Sequence, residues 1–127
     1  MPTSKDKAIA YAITRPRIIA RFNKNTKVLD DGCIVWTKSV NESGYGKMGV
    51  GFRDENNKFR THPVYVHRFA WALKYGMAAL PIGGQLKGER TVLNHLCHNT
   101  ICVNTNHLEV ILQSLNNSPE KRKPKNV

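Results

Sequence analysis

The stretch from Asn94 to His107 constrains this chain more than any other, because it holds two of the three cysteines and three of the five histidines. Cys97, Cys102 and His107 are each separated by four residues, so one short loop can offer three soft or borderline donors to a single ion. A tetrahedral zinc site needs a fourth. The one cysteine left is Cys33, placed after the turn Asp30-Asp31-Gly32 and before the apolar run Ile34-Val35-Trp36. Cys33, Cys97, Cys102 and His107 make a Cys3His set of the structural kind, with no cysteine left over. The competing reading is three thiols that only pack, since free cysteine is a common core residue. Equal spacing beside a histidine favours the metal.

At 127 residues the chain fits one domain, 1–127, with a core small enough for a metal staple to matter. Its formal net charge is +11 and its pI about 9.9, an excess of cations that faces nucleic acid most often and an anionic membrane less often. Charge is densest at the two ends: residues 1–31 carry seven Lys or Arg against three Asp, and residues 114–127 carry four against one Glu. The basic segment 1–31 and the tail 119–127 are therefore candidate phosphate-contacting arms, with solvated tails as the alternative. Three cysteines cannot all pair within the chain, and no apolar run reads as a signal peptide or membrane span. The setting expected is intracellular and reducing: the cytoplasm of a bacterial or phage-infected host, or the nucleus if eukaryotic. No membrane partner is expected.

Ile9, Ala12, Ile13 and then Ile18, Ile19, Phe22 follow helical spacing interrupted at Pro16, which predicts two short helices. Gly44-Tyr45-Gly46-Lys47-Met48-Gly49 spells a dinucleotide-binding glycine pattern, but no helix follows it. Val50-Gly51-Phe52 continues as strand and Asp54-Glu55-Asn56-Asn57 forms a turn, so a hairpin from about Tyr45 to Val66 is the better reading. Lys47, Arg53, Lys58 and Arg60 decorate that hairpin as candidate DNA contacts, since a two-stranded ribbon fits the major groove. Charges that guard a strand edge are the alternative. His67 to Tyr75 suits an amphipathic helix ending at Gly76, with its aromatics in the core and His67 packed or capping. A long loop covers Met77 to Arg90. Thr91-Val92-Leu93 then leads as a strand into the central motif, and the Cys97–Cys102 loop turns the chain back toward Leu108-Glu109-Val110.

The pattern His95-x-Cys97-x4-Cys102-x4-His107, the phrase His-Leu-Cys-His-Asn-Thr followed by Cys, and Asn116 nine residues past His107 resemble the HNH nucleases. The likeness is closest to their His-Cys box branch, the homing endonucleases of the ββα-metal superfamily. Gly32 to Thr37 and Val66-His67-Arg68 belong to it as well, so it spans about two thirds of the chain, from near Gly32 to near Asn117. The resemblance implies an α+β fold: a ββα-metal nuclease core with an added β-hairpin and short helices, stapled by one structural zinc. It implies a metal-dependent endonuclease of homing or mobile phage type acting on double-stranded DNA, with His95 as general base and Asn116 holding a catalytic Mg2+ at the scissile phosphate. An imidazole that titrates near neutrality suits the base, and an amide oxygen suits a hard cation. A hairpin arginine, Arg60 ahead of Arg53, would grip the same phosphate through a bidentate pair.

Alternatives stand beside each role. His95 is otherwise a further zinc-shell histidine or a buried structural one, and Asn116 a turn residue with Asn117 the fallback ligand. Many members of the family carry an acidic metal ligand where this chain has Asn94, and the second zinc cluster of the His-Cys box enzymes has no cysteines here. A symmetric target would require a two-fold homodimer. A zinc-stabilised, non-catalytic DNA-binding module shares the zinc and the salt-sensitive affinity, and parts from a nuclease at His95, whose loss it tolerates. An RNA-binding or ribosomal zinc protein fits the charge and leaves His95 and Asn116 idle.

Overall fold

Proline begins a helix more readily than it continues one, because its missing N–H falls where no intrahelical bond is due. The computed structural model describes residues 4–53, 56–80 and 91–112, and it places Pro16 at the start of α2 (Pro16–Lys24), after α1 (Ser4–Ala12). Both predicted short helices are present. α1 buries Ala8, Ile9 and Ala12, and α2 buries Phe22, whose ring meets Trp36 at 5.9 Å and Phe69 at 4.9 Å.

Three antiparallel hairpins account for the strands among the described residues: β1 (Thr26–Val28) with β2 (Ile34–Trp36), β3 (Lys47–Arg53) with β4 (Phe59–Tyr65), and β5 (Thr91–His95) with β6 (Leu108–Leu112). Register in the middle hairpin decides which residues face the core, since side chains alternate along a strand. Met48↔Val64, Val50↔His62 and Phe52↔Arg60 share one face; Lys47↔Tyr65, Gly49↔Pro63, Gly51↔Thr61 and Arg53↔Phe59 share the other. The inward face carries buried Met48, Val50 and Val64 and receives α1, whose Tyr11 stacks on Phe52 at 5.6 Å. The opposite face points outward. Arg21 donates to the Gly49 carbonyl and fastens α2 to β3.

β4 runs directly into α3 (Val66–Tyr75), which buries Val66, His67, Phe69, Ala70 and Ala72. Gly76, at φ +93, ends it in a conformation that disfavours a side chain, and donates its N–H to Ala72. A 3-10 turn at Met77–Ala79 follows, its Ala79 carbonyl accepting from the Trp71 indole at 3.0 Å. The result is a small α+β chain of short helices and hairpins. β5 and β6 form an antiparallel pair; the stretch in which the ββα helix is expected, with Asn116 and Asn117, the expected loop over 81–90 and the tail 119–127 lie outside the described residues.

Gly46 marks where the hairpin meets the core. A methyl group there would stand 2.6 Å from Val66 Cγ2 and 2.9 Å from Trp36 Cδ1, both in buried residues. Gly46→Ala is expected to cost about 1–3 kcal/mol through overpacking, read as a lower Tm of the zinc-loaded protein. Gly51→Ala is the contrasting case: its new methyl would meet the Phe59 ring, which is exposed and can swing away, so a smaller loss is expected.

Candidate functional site

An ion with Zn–S near 2.3 Å and Zn–N near 2.0–2.1 Å at tetrahedral angles separates sulfur from nitrogen by about 3.6 Å. His107 Nδ1 lies 3.5 Å from Cys33 Sγ and 3.6 Å from Cys102 Sγ. With Cys97 Sγ, the four donor atoms all fall within 4.8 Å of one another. Such spacings are those of ligands around a shared ion, and the soft Cys3His donor set fits zinc.

Backbone pairing brings Cys33 to this loop from far away in sequence. Trp36 donates to Ile101 at 2.9 Å and Val103 donates to Ile34 at 2.6 Å, so β2 runs antiparallel beside residues 101–103 with Val35 opposite Cys102. The turn before Cys33 is held by Asp31, whose carboxylate accepts from the Cys33 N–H at 2.9 Å, and by Asn104, whose amide donates to the Gly32 carbonyl at 2.7 Å. Leu96 N–H bonds the His107 carbonyl at 2.7 Å and closes the loop. Burial pushes the Cys33 thiol up to about 12, with hydrogen bonds to Cys102 and Cys97 adding to the rise, and burial likewise raises Cys102. Zinc must displace these protons, so loading is favoured as pH rises.

His95 ends β5 on the far side of the same loop. Its Nε2 lies 3.0 Å from the Cys102 carbonyl; a carbonyl oxygen only accepts, so Nε2 carries the proton and Nδ1 keeps its lone pair. Cys102 thus gives its sulfur to the metal cluster and its carbonyl to His95. The imidazole is 6 % exposed, and burial lowers its pKa from the ordinary histidine value, a shift opposed by the Cys102 bond. Its ring packs against His67 at 4.8 Å and Tyr45 at 5.8 Å, and His67 in turn contacts Tyr45 and Tyr65.

His67 is therefore a neighbour of the candidate base, a relation that its expected packing or capping role does not contain. It is also 6 % exposed, its Nδ1 is buried without a partner among the described residues, and burial, followed by His95 and Arg68, pushes its pKa down to about 3. Between pH 6.5 and 3 the unfolded chain binds a proton that the folded ring excludes, so His67 costs stability progressively as pH falls through that window and not above it. His67→Phe is expected to lose less Tm than the parent chain between about pH 7.5 and 5, both zinc-loaded. Parallel curves would show that the ring is not held neutral.

The remaining predicted residues are spread along the hairpin and the β5–β6 pair. Lys47 stands opposite Tyr65, at the end of the hairpin whose aromatic rings reach His95. Arg60 is five residues further along β4, about 17 Å at the rise of a strand, and belongs to the core-side face. Arg53 lies on the outward face at the same distant end, its guanidinium bonded to the Asn57 carbonyl at 3.0 Å, and Lys58 is in the turn. The register thus groups Lys47, and neither hairpin arginine, with His95. Asn94 alternates with His95 on β5 and donates to the Glu109 carboxylate at 3.0 Å across the hairpin.

This zinc-loop geometry agrees with the sequence comparison. A family model described as the zinc-binding loop region of homing endonuclease matches residues 32–124, and the chain belongs to that family. The match starts one residue before Cys33 and covers all four zinc donors, His95 and Asn116. The curated proteins and the solved structures give no match.

Proposed function

We propose that this chain is a metal-dependent DNA endonuclease of the homing type, hydrolysing phosphodiester bonds with His95 as general base. The observation that carries the reading is the tautomer of His95: Nε2–H donates to the Cys102 carbonyl, which leaves Nδ1 as the nitrogen able to accept a proton. Burial favours the neutral ring, the form a base requires. Nδ1 removes a proton from water, the oxygen so released bonds to phosphorus, and the bond from phosphorus to the 3′ oxygen breaks. A divalent cation such as Mg2+, for which Asn116 is the proposed ligand, supplies Lewis-acid stabilisation of the departing oxygen when bound. The net charge of +11 supports double-stranded DNA as partner.

A second reading, the non-catalytic DNA-binding module, draws support from the 6 % exposure of His95 and its packing among rings. Supercoiled plasmid incubated with the zinc-loaded protein separates the two. Nicking or linearisation that needs added Mg2+ or Mn2+ and stops with chelator supports the nuclease. Salt-sensitive retention of plasmid without cutting under either metal supports the module.

A further inference from the structure

Beside the candidate active site lies a cavity of about 240 Å³ lined by Asn41, Lys47, Pro63, Val64 and Tyr65. It lies at the Lys47–Tyr65 end of the hairpin, and Tyr65 links it to the site: its ring lies 5.7 Å from His67, and His67 lies 4.8 Å from His95. One wall is firmly built. Asn41 Oδ1 accepts from the N–H groups of Ser43 at 3.0 Å and Tyr45 at 2.9 Å, and Asn41 Nδ2 donates to the Tyr65 hydroxyl at 3.2 Å. Thr100 of the zinc loop donates to the Gly44 carbonyl at 2.7 Å. The loop over 41–46 is thereby tied to β4 on one side and to the metal loop on the other.

Size and chemistry narrow the occupant. At ~30 Å³ per water the cavity holds about eight waters, more than one small anion needs, and it is smaller than the ~300–1,000 Å³ of sites for drug-sized ligands. Lys47 is half-buried and no carboxylate among the described residues pairs with it. An ammonium beside a tyrosine ring and a proline matches one nucleotide: phosphate on the cation, sugar or base on the ring. Ring-to-ring steps of 5.7 and 4.8 Å through His67 bound the distance from Tyr65 to His95, which corresponds to at most about three nucleotides at ~3.4 Å of helix axis each.

We propose that this cavity is a nucleotide subsite, holding a residue of the DNA strand within three positions of the phosphate at His95, with Lys47 on its phosphate and Tyr65 and Pro63 against its sugar or base. Taking DNA as the ligand rests on the nuclease reading, while the site itself stands apart from catalysis. The dinucleotide TpT, titrated into zinc-loaded, 15N-labelled full-length chain without divalent cation, is expected to shift the amide signals of Asn41, Lys47 and Tyr65. Lys47→Met should weaken TpT binding about tenfold and reduce its salt dependence. Tyr65→Leu should weaken it about five-fold or more, as lost stacking on one base does. Lys74→Met, on α3 beside the Tyr75 ring, should leave it unchanged. Zinc content and Tm establish that each variant is folded, and Lys47→Met decides the matter if Tyr65→Leu is not. Signals that shift elsewhere, or a folded Lys47→Met that binds as the parent does, overturn the subsite. If the parent cuts DNA and Lys47→Met alters neither TpT binding nor KM, the subsite falls and the nuclease stands. If TpT binds at Lys47 and no metal supports cutting, the subsite stands and the nuclease falls.

Discussion

His95→Ala is expected to lower the rate of DNA cutting by about 10²–10⁴-fold, the usual contribution of a positioned general base, with DNA affinity and zinc content retained. Affinity survives because the imidazole is buried and neutral, so it adds no cation for phosphates to hold. Alanine also strips the Cys102 carbonyl of its donor, a loss worth about 1–3 kcal/mol when the carbonyl is buried. His95→Gln removes that ambiguity: its amide can still donate to the carbonyl but cannot take a proton from water at neutral pH. Single-turnover cleavage by both variants, beside their melting curves, reads the two effects separately. Undiminished cutting by folded His95→Gln would take His95 out of the chemistry.

Removing zinc is the other large perturbation. Structural zinc in small domains contributes roughly 10–16 kcal/mol of apparent binding free energy at neutral pH, comparable to the whole ~5–15 kcal/mol stability of a domain. A strong chelator is therefore expected to abolish the cooperative thermal transition, and Cys33→Ser to do much of the same, since Cys33 is the donor that joins β2 to the zinc loop. Calorimetric zinc titration of the metal-free chain in two buffers of different ionisation enthalpy should show at least two protons released, from the raised thiols of Cys33 and Cys102. A metal-free protein that still melts cooperatively near the zinc-loaded Tm would assign the cluster a minor role.

The zinc set is legible in the sequence because few arrangements use up three cysteines and a histidine at such intervals, and the structure brings all four together. The helices and the middle hairpin are legible too, from Pro16, Gly76 and the alternation about Asn56-Asn57. What surrounds His95 is not. Tyr45 meets it from the loop before β3 and His67 from the start of α3, while Tyr65 reaches it only through His67, and the hairpin register sets Tyr65 opposite Lys47 at that end. The same register separates residues that are equivalent on paper: Lys47 stands at the His95 end of the outward face, Arg60 at the opposite end of the inward one. The signal that could have shown this is parity, since 47 and 65 fall together on the outward face, and 60 on the inward one, once Met48 and Val64 are paired in the core.

The zinc cluster also sets an order of events during synthesis. Cys97, Cys102 and His107 lie within eleven positions of one another, whereas Cys33 is separated from Cys97 by sixty-four. Closing the long span costs about 1.6 kcal/mol more than closing the short one, at ~0.6 kcal/mol per doubling. Local capture by the tripod should therefore come first, and docking of the older, ribosome-distal part of the chain afterwards. With Co2+ as a coloured substitute, thiolate absorption is expected to rise before the far-UV signal recovers on refolding; simultaneous recovery would contradict that sequence.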